Sequence, residues 1–295
     1  MSDHAETLSF VADDGYRLTA YRYRAEAPEG VIIVAGATGV PQGFYRQFAL
    51  YASLGGYDVV TFDYRGIGQS APATLKGFDV DFRDWARKDL KALVDLISTE
   101  NLPAYIVGHS YGGHALGLMD NHHLIDAAYF LGVGAGWHGW MPMAERMRVL
   151  FMWHVMAPAI TRIQGYLGWS LLGMGEDLPL GVYRQWKRWC QFPNYFFGDS
   201  AFPEVSLSFN RVRMPIKAVN AIDDKWAMPA SRDAFVRYYS NSELLFHDLH
   251  PGSLGLKKVG HMGYFRRGSE GVWSDILTYF GEVRSSGRST LALSQ

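Results

Sequence analysis

Cysteine is nearly absent: Cys190 stands alone in 295 residues, so no internal disulfide can form. Its tryptophan-rich surroundings suit a small buried hydrophobe better than a reactive thiol, and a reducing compartment fits. Long apolar runs are also missing. No stretch reaches the roughly 20 apolar residues that span a bilayer, so no transmembrane segment is expected. The opening Met1-Ser2-Asp3-His4-Ala5-Glu6 lacks the basic and apolar regions of a secretory signal, and the expected location is cytoplasmic. A surplus of charge is lacking too. The formal net charge of −1 gives no bias toward nucleic acid or acidic membranes, so neither is expected as a partner. Internal repeats are absent, and the oligomeric state is left open.

Against these absences stand 48% hydrophobic and 19% charged residues, the balance of a globular chain with a large core. Leu8–Val11 and Leu18–Tyr23 flank Asp14-Gly15 and predict a β-hairpin. Strand-like and helix-like segments then alternate. Val31–Val34, Tyr57–Phe62, Ala104–Val107, Asp126–Leu131, Met214–Val219 and Leu244–Phe246 read as strands, and Phe44–Leu54 and Trp85–Ile97 as helices. In the second helix Trp85, Ala86, Leu90, Leu93, Val94 and Ile97 recur at helical spacing. Such alternation implies an α/β fold with a mostly parallel sheet covered on both faces, and ligands beyond the carboxyl ends of its strands.

The alternation breaks between Trp137 and Phe209, where six of nine tryptophans and six of eleven methionines fall. We read 137–209 as an inserted cap, 1–136 and 210–283 as the core, and the Ser-, Gly- and Arg-rich 284–295 as a frayed tail. Within the cap, Met143, Met147, Leu150 and His154 share one helical face. Val149, Trp153 and Met156 make that helix apolar almost all round, which predicts burial on several sides.

The most informative stretch is Gly108-His109-Ser110-Tyr111-Gly112, a G-x-S-x-G pentapeptide between a predicted buried strand and a helix. A serine on such a strained corner projects its hydroxyl over the end of a sheet, and the glycines allow close backbone approach. Two further segments accompany it: Asp63-Tyr64-Arg65-Gly66-Ile67-Gly68-Gln69-Ser70 and Gly260-His261-Met262-Gly263. With these three landmarks the chain resembles the α/β-hydrolase superfamily over nearly its full length. It is most similar to the serine aminopeptidase-like and monoglyceride lipase-like branch, in which a Gly-His-Met-Gly-aromatic loop recurs. The resemblance implies the α/β-hydrolase fold with a helical cap, a nucleophile elbow at Ser110, and a Ser–acid–His order. The Asp63 loop reads as structural.

A neutral serine hydroxyl is a poor nucleophile and needs an imidazole to take its proton. His261, in a Gly-flanked loop ahead of Tyr264-Phe265, is the expected base; His247 and His250 fall on or after the last strand and lack companions for a metal site. The acid lies in Asn220–Ala227, where Asp223 and Asp224 are adjacent. Their side chains point in opposite directions in an extended segment, so one faces the base. Asp224 is preferred, with Asp223 as the alternative. An oxyanion would be held by two backbone N–H groups, Tyr111 and one from Ala35-Gly36-Ala37-Thr38-Gly39. The latter loop departs from the His-Gly start of many relatives, leaving Ala37 or Thr38 as donor.

A serine nucleophile points to acyl chemistry, because its attack on an alkyl carbon would leave a stable ether. The expected reaction is hydrolysis of an ester, thioester or amide through an acyl-enzyme, with neither cofactor nor metal. The tryptophans and methionines of the cap favour a small-molecule substrate with an apolar or aromatic acyl group. Asp223 or Glu176-Asp177 could recognise an amine, although solvated carboxylates are the plainer reading. An acyltransferase using the same residues, and a non-catalytic ligand-binding protein on this fold, are the competing readings.

Overall fold

The computed structural model describes residues 5–287. The chain opens with the antiparallel hairpin β1 (Glu6–Val11) and β2 (Arg17–Tyr23), whose turn uses Gly15 at φ +83°. Six strands follow: β3 (Val31–Ala35), β4 (Asp58–Phe62), β5 (Ala104–His109), β6 (Ala127–Leu131), β7 (Ile216–Ala221) and β8 (Leu244–Leu249). The eight form one sheet in the order β1-β2-β4-β3-β5-β6-β7-β8. Pairing is parallel from β4 through β8, and antiparallel only where β2 meets β1 and β4.

Strands β3 to β6 are continuous apolar runs because both their faces are covered. Alternation separates the two cores: Val31, Ile33 and Ala35 pack in one, Ile32 and Val34 in the other. On the first face lie α2 (Lys91–Ser98), α3 (Tyr111–Leu118) and α8 (Pro229–Val236). On the second lie α1 (Arg46–Leu54) and α9 (Glu270–Ser285), contributing Phe48, Trp273 and Phe280. The order of β3, β4 and β5 reverses the chain's direction of travel across the sheet. This is the switch point where open α/β sheets leave a crevice.

The observed elements differ from the sequence reading at several ends. A 3-10 turn, Gln42–Tyr45, takes the first two residues of the expected Phe44–Leu54 helix and precedes α1. The Trp85–Ile97 helix starts as a wider π-helical turn, Trp85–Leu90, before α2. Strand β7 begins at Ile216 because Pro215 has no N–H for the ladder. Strand β8 runs past the expected Leu244–Phe246 to Leu249, through the polar His247 and Asp248 that an exposed edge strand tolerates. Helix α9 reaches Ser285, so the first residues assigned to a tail are helical, and 288–295 lie outside the described residues.

Between β6 and β7 the chain adds no strand to the sheet. It forms α4 (Met143–Phe151), a π-helical turn (Met152–Met156), α5 (Ala157–Gln164), α6 (Leu180–Trp189) and α7 (Glu204–Phe209). Trp153, Trp169 and Trp186 meet at its centre, with ring centroids 5.0 to 6.2 Å apart. The expectation that the Met143–Met156 helix is buried on several sides is overturned. Val149, Met152, Trp153 and Ala157 form its buried stripe, while Met143, Met147, Phe151 and Val155, four residues apart, are more than half exposed. One packed stripe is sufficient to anchor this helix.

Candidate active site

Ser110 sits between β5 and α3 with φ 51° and ψ −111°, a conformation that L-residues hold only at a cost of about 1–3 kcal/mol. Neighbours fix it there. The Ser110 N–H donates to the Leu131 carbonyl at 2.9 Å, and the Gly113 N–H to the Ser110 carbonyl at 3.1 Å. A Cβ on Gly108 would come within 2.7 Å of the Gly113 nitrogen, and one on Gly112 would collide with the Ala35 carbonyl. The corner can therefore close only with glycine at both positions.

The loops after β7 and β8 bring Asp224 and His261 together. His261 Nδ1 lies 2.8 Å from Asp224 Oδ2, with the carboxylate fully buried and the imidazole partly exposed. Asp224 Oδ1 accepts from the Trp226 and Ala227 N–H groups, each at 3.0 Å. Burial pushes the Asp224 carboxyl up, but the facing imidazole and these N–H donors outweigh it and hold it below the ordinary carboxylate range. Asp223 points elsewhere and accepts from the Val259 and Gly260 N–H groups, at 3.0 Å each. It ties the loop bearing His261 to the loop bearing Asp224. Among the described residues, no hydrogen bond joins the Ser110 hydroxyl to the imidazole, although both side chains face one cavity.

Two contributors escaped the sequence reading. Gly132, just after β6 at φ +60°, lies under the Asp–His pair, and an added Cβ would stand 3.1 Å from Asp224 Oδ2 and 3.3 Å from His261 Nδ1. His109 is the other. Its Nε2 lies 2.8 Å from the His261 carbonyl and its Nδ1 3.0 Å from Tyr45 Oη, which in turn accepts the Ala37 N–H at 2.8 Å. These partners require a neutral ring: Nε2–H donates to the carbonyl, and Nδ1 accepts from the tyrosine. Burial, reinforced by the nearby His261, lowers the His109 pKa to about 3. Only the x position of the G-x-S-x-G motif marked this residue, and the pattern places no demand there.

The same network treats the two candidate loop N–H groups differently. The Ala37 N–H is committed to Tyr45 Oη. The Thr38 N–H has no acceptor among the described residues, and Tyr111, as the first residue of α3, has no partner for its N–H within the helix.

Ser110 and His261 open into a cavity of about 260 Å³ lined by Thr38, Trp169, Met174, Trp186, Tyr195 and Trp226 among others. Its walls thus come from both the sheet edge and the β6–β7 segment. The other singled-out residues lie in scaffolding. Asp63 accepts from the Gln42 and Gln69 N–H groups at 2.7 and 3.0 Å, and Arg65 pairs with the buried Asp89 at 2.7 Å. Glu176 caps the Gly68 N–H at 2.6 Å, and Asp177 accepts from Ser170. Cys190 is buried, which pushes its thiol up. His247 is on β8 and His250 just after it. Among the described residues, no group of three or more His, Cys, Asp or Glu could hold a metal ion, and no helix is long and apolar enough to cross a membrane.

The model of the alpha/beta hydrolase family matches residues 31–270. No curated protein matches the chain. Among solved structures it is similar to a soluble variant of monoglyceride lipase from Saccharomyces cerevisiae in complex with a substrate analogue. Identity to that lipase is 15%, coverage 96% of this chain and 95% of the other, and the TM-score 0.66. A thermophilic esterase from Thermogutta terrifontis is 15% identical, with 94% and 99% covered and a TM-score of 0.56. An esterase from Pyrococcus furiosus is 13% identical, with 95% and 92% covered and a TM-score of 0.57.

Proposed function

The chain belongs to the α/β-hydrolase family, and we propose that it is a serine hydrolase cleaving an ester or thioester with an apolar or aromatic acyl group. The carrying observation is the buried Asp224–His261 pair opening on the same cavity as a serine held in a strained elbow. In this reading 137–209 is a cap over the site. Asp224 holds the Nδ1–H tautomer of His261 and stabilises its cation, leaving Nε2 as the general base.

His261 takes the Ser110 proton as Oγ attacks the acyl carbon. The tetrahedral oxyanion is received by the Tyr111 and Thr38 N–H groups, each contributing about 3 kcal/mol to the transition state. Collapse breaks the bond to the leaving atom, which takes the proton from His261, and an acyl-Ser110 ester remains. Water, deprotonated by His261, then attacks that ester and releases the acid. The largely apolar wall formed by Trp169, Trp186, Trp226 and Met174 favours an acyl chain over a charged group on the Ser110 side.

The test is hydrolysis of p-nitrophenyl esters of increasing acyl length by the wild-type protein and by Ser110→Ala. Turnover that falls about 10⁶-fold in the variant is the expected result, as for other serine nucleophiles. The chain-length optimum then reports the cavity. Equal turnover by both proteins would remove Ser110 as nucleophile.

A further inference from the structure

A second, larger recess of about 690 Å³ also reaches His261 and shares His261, Met262 and Trp226 with the apolar cavity. Its walls differ in chemistry. They carry Lys225, Lys258, Arg266 and Arg267, none of which is paired with a carboxylate among the described residues. The fifth cation of the recess, Arg148, is spent on Glu145 at 2.6 Å. The remaining carboxylate, Asp223, is directed at two backbone N–H groups. Four unpaired cations therefore face open space beside the imidazole. They are also tied to the reacting groups along the chain, since Lys225 follows Asp224 and the other three flank the His261 turn.

The two recesses meet at His261, and the reaction assigns them different halves of a substrate. The acyl group must lie against Ser110. The leaving oxygen or sulfur must lie beside the imidazole that protonates it, so whatever that atom carries extends along the His261 side. The geometry points to a substrate whose leaving group bears an anion, a carboxylate or a phosphate, held by Lys225, Lys258, Arg266 and Arg267. This inference rests on the serine-hydrolase reading and names its substrate class. An apolar acyl half and an anionic leaving half would each meet the surface that suits it.

The experiment compares matched substrates with one acyl group of the length the cavity prefers. The carboxylate arm is the 4-carboxyphenyl ester against its neutral 4-carbamoylphenyl counterpart. The phosphate arm is the phosphopantetheine thioester against the neutral N-acetylcysteamine thioester. In at least one arm the anionic substrate should have a kcat/KM tenfold or more above its neutral partner, and that arm identifies the anion. The ratio should fall toward one in Lys225→Gln/Arg266→Gln/Arg267→Gln. It should also shrink as salt is raised, because exposed charges are screened within about 8 Å at physiological ionic strength. Ratios near one in both arms of the wild-type protein, or a ratio unchanged in the triple variant, would overturn the inference while leaving ester hydrolysis intact. Binding of 4-hydroxybenzoate and phosphopantetheine to Ser110→Ala, against 4-hydroxybenzamide and N-acetylcysteamine, is measured in parallel. Preferential anion binding without turnover of any ester would instead sink the hydrolase reading and retain the anion site. No anion preference in that assay would overturn the site as well.

Discussion

The parallel sheet and the segment between β6 and β7 are both rich in apolar residues, but they use them differently. In β3 to β6 every residue is buried, with consecutive side chains divided between two covered faces. In α4 and the turn that follows, one stripe is buried around Trp153 while Met147, Phe151 and Val155 face outward. A strand within a two-sided sheet has no free face. A helix lying on the rim of a domain has one, whatever its composition. Apolar content thus reports burial only where the architecture surrounds the element. The candidate catalytic groups follow the same division: Ser110, Asp224 and His261 lie in the connections that follow β5, β7 and β8, and the segment supplies cavity wall.

The comparison can be broken most forcefully at the sheet edge. Asp224→Asn should lower kcat about 10,000-fold by allowing the wrong imidazole tautomer. Asp223→Asn, which only loosens the loop contact to Val259 and Gly260, should cost about 100-fold or less through misplacement. Equal losses in kcat would return the acid assignment to Asp223. The depressed Asp224 pKa sets a companion outcome in pH. Its contribution is present above the unfolded carboxylate pKa and is lost as pH falls through the lower folded value. The carboxylate therefore stays charged at pH values where a free aspartate is already protonated, and Asp224 should add no proton of its own to the acid limb of log kcat/KM, whose slope should be one. A slope of two would show Asp224 taking up a proton in the same range.

Next in size is the packed side of the segment. Trp153→Ala removes a buried ring from the tryptophan cluster and should cost about 3–5 kcal/mol in denaturant unfolding. A loss below 1 kcal/mol would mean that the segment contributes little cohesion. Gly132→Ala should cost about 1–2 kcal/mol for its left-handed backbone. It should also lower kcat more than KM by displacing the Asp224–His261 pair. Unchanged kcat would separate Gly132 from the site. The smallest effect is expected on the outward stripe, where Phe151→Ser should stay within about 0.5 kcal/mol of wild type. A loss comparable to that of Trp153→Ala would place Phe151 against a partner surface and end the contrast.

Several features were legible before any coordinates. Strand alternation gave the parallel sheet, because β-branched runs bounded by turns have few other uses. The glycines of the pentapeptide foretold the close approaches at Gly108 and Gly112, since a side chain there has nowhere to go. Less legible were the far end of β8, where the polar His247 and Asp248 interrupt the apolar run, and the Phe44–Leu54 and Trp85–Ile97 helices, whose periodicity does not distinguish α from 3-10 or π turns at their starts. Gly132 was invisible for a different reason. It contacts residues some ninety and one hundred thirty positions away, and local pattern carries no trace of such a neighbour.

The sequence by itself determined the alternating α/β plan, the strained serine corner and the chemical types available to the site, because these depend on periodicity and local backbone demands. Tertiary structure alone decided which of two adjacent aspartates meets His261, since a single turn after β7 sends their side chains to different partners. It also committed the Ala37 N–H to Tyr45, and gathered four cations from separate loops into one recess with His261. Each of these outcomes is a matter of direction in space, which residue order does not encode until the sheet has set the loops against one another.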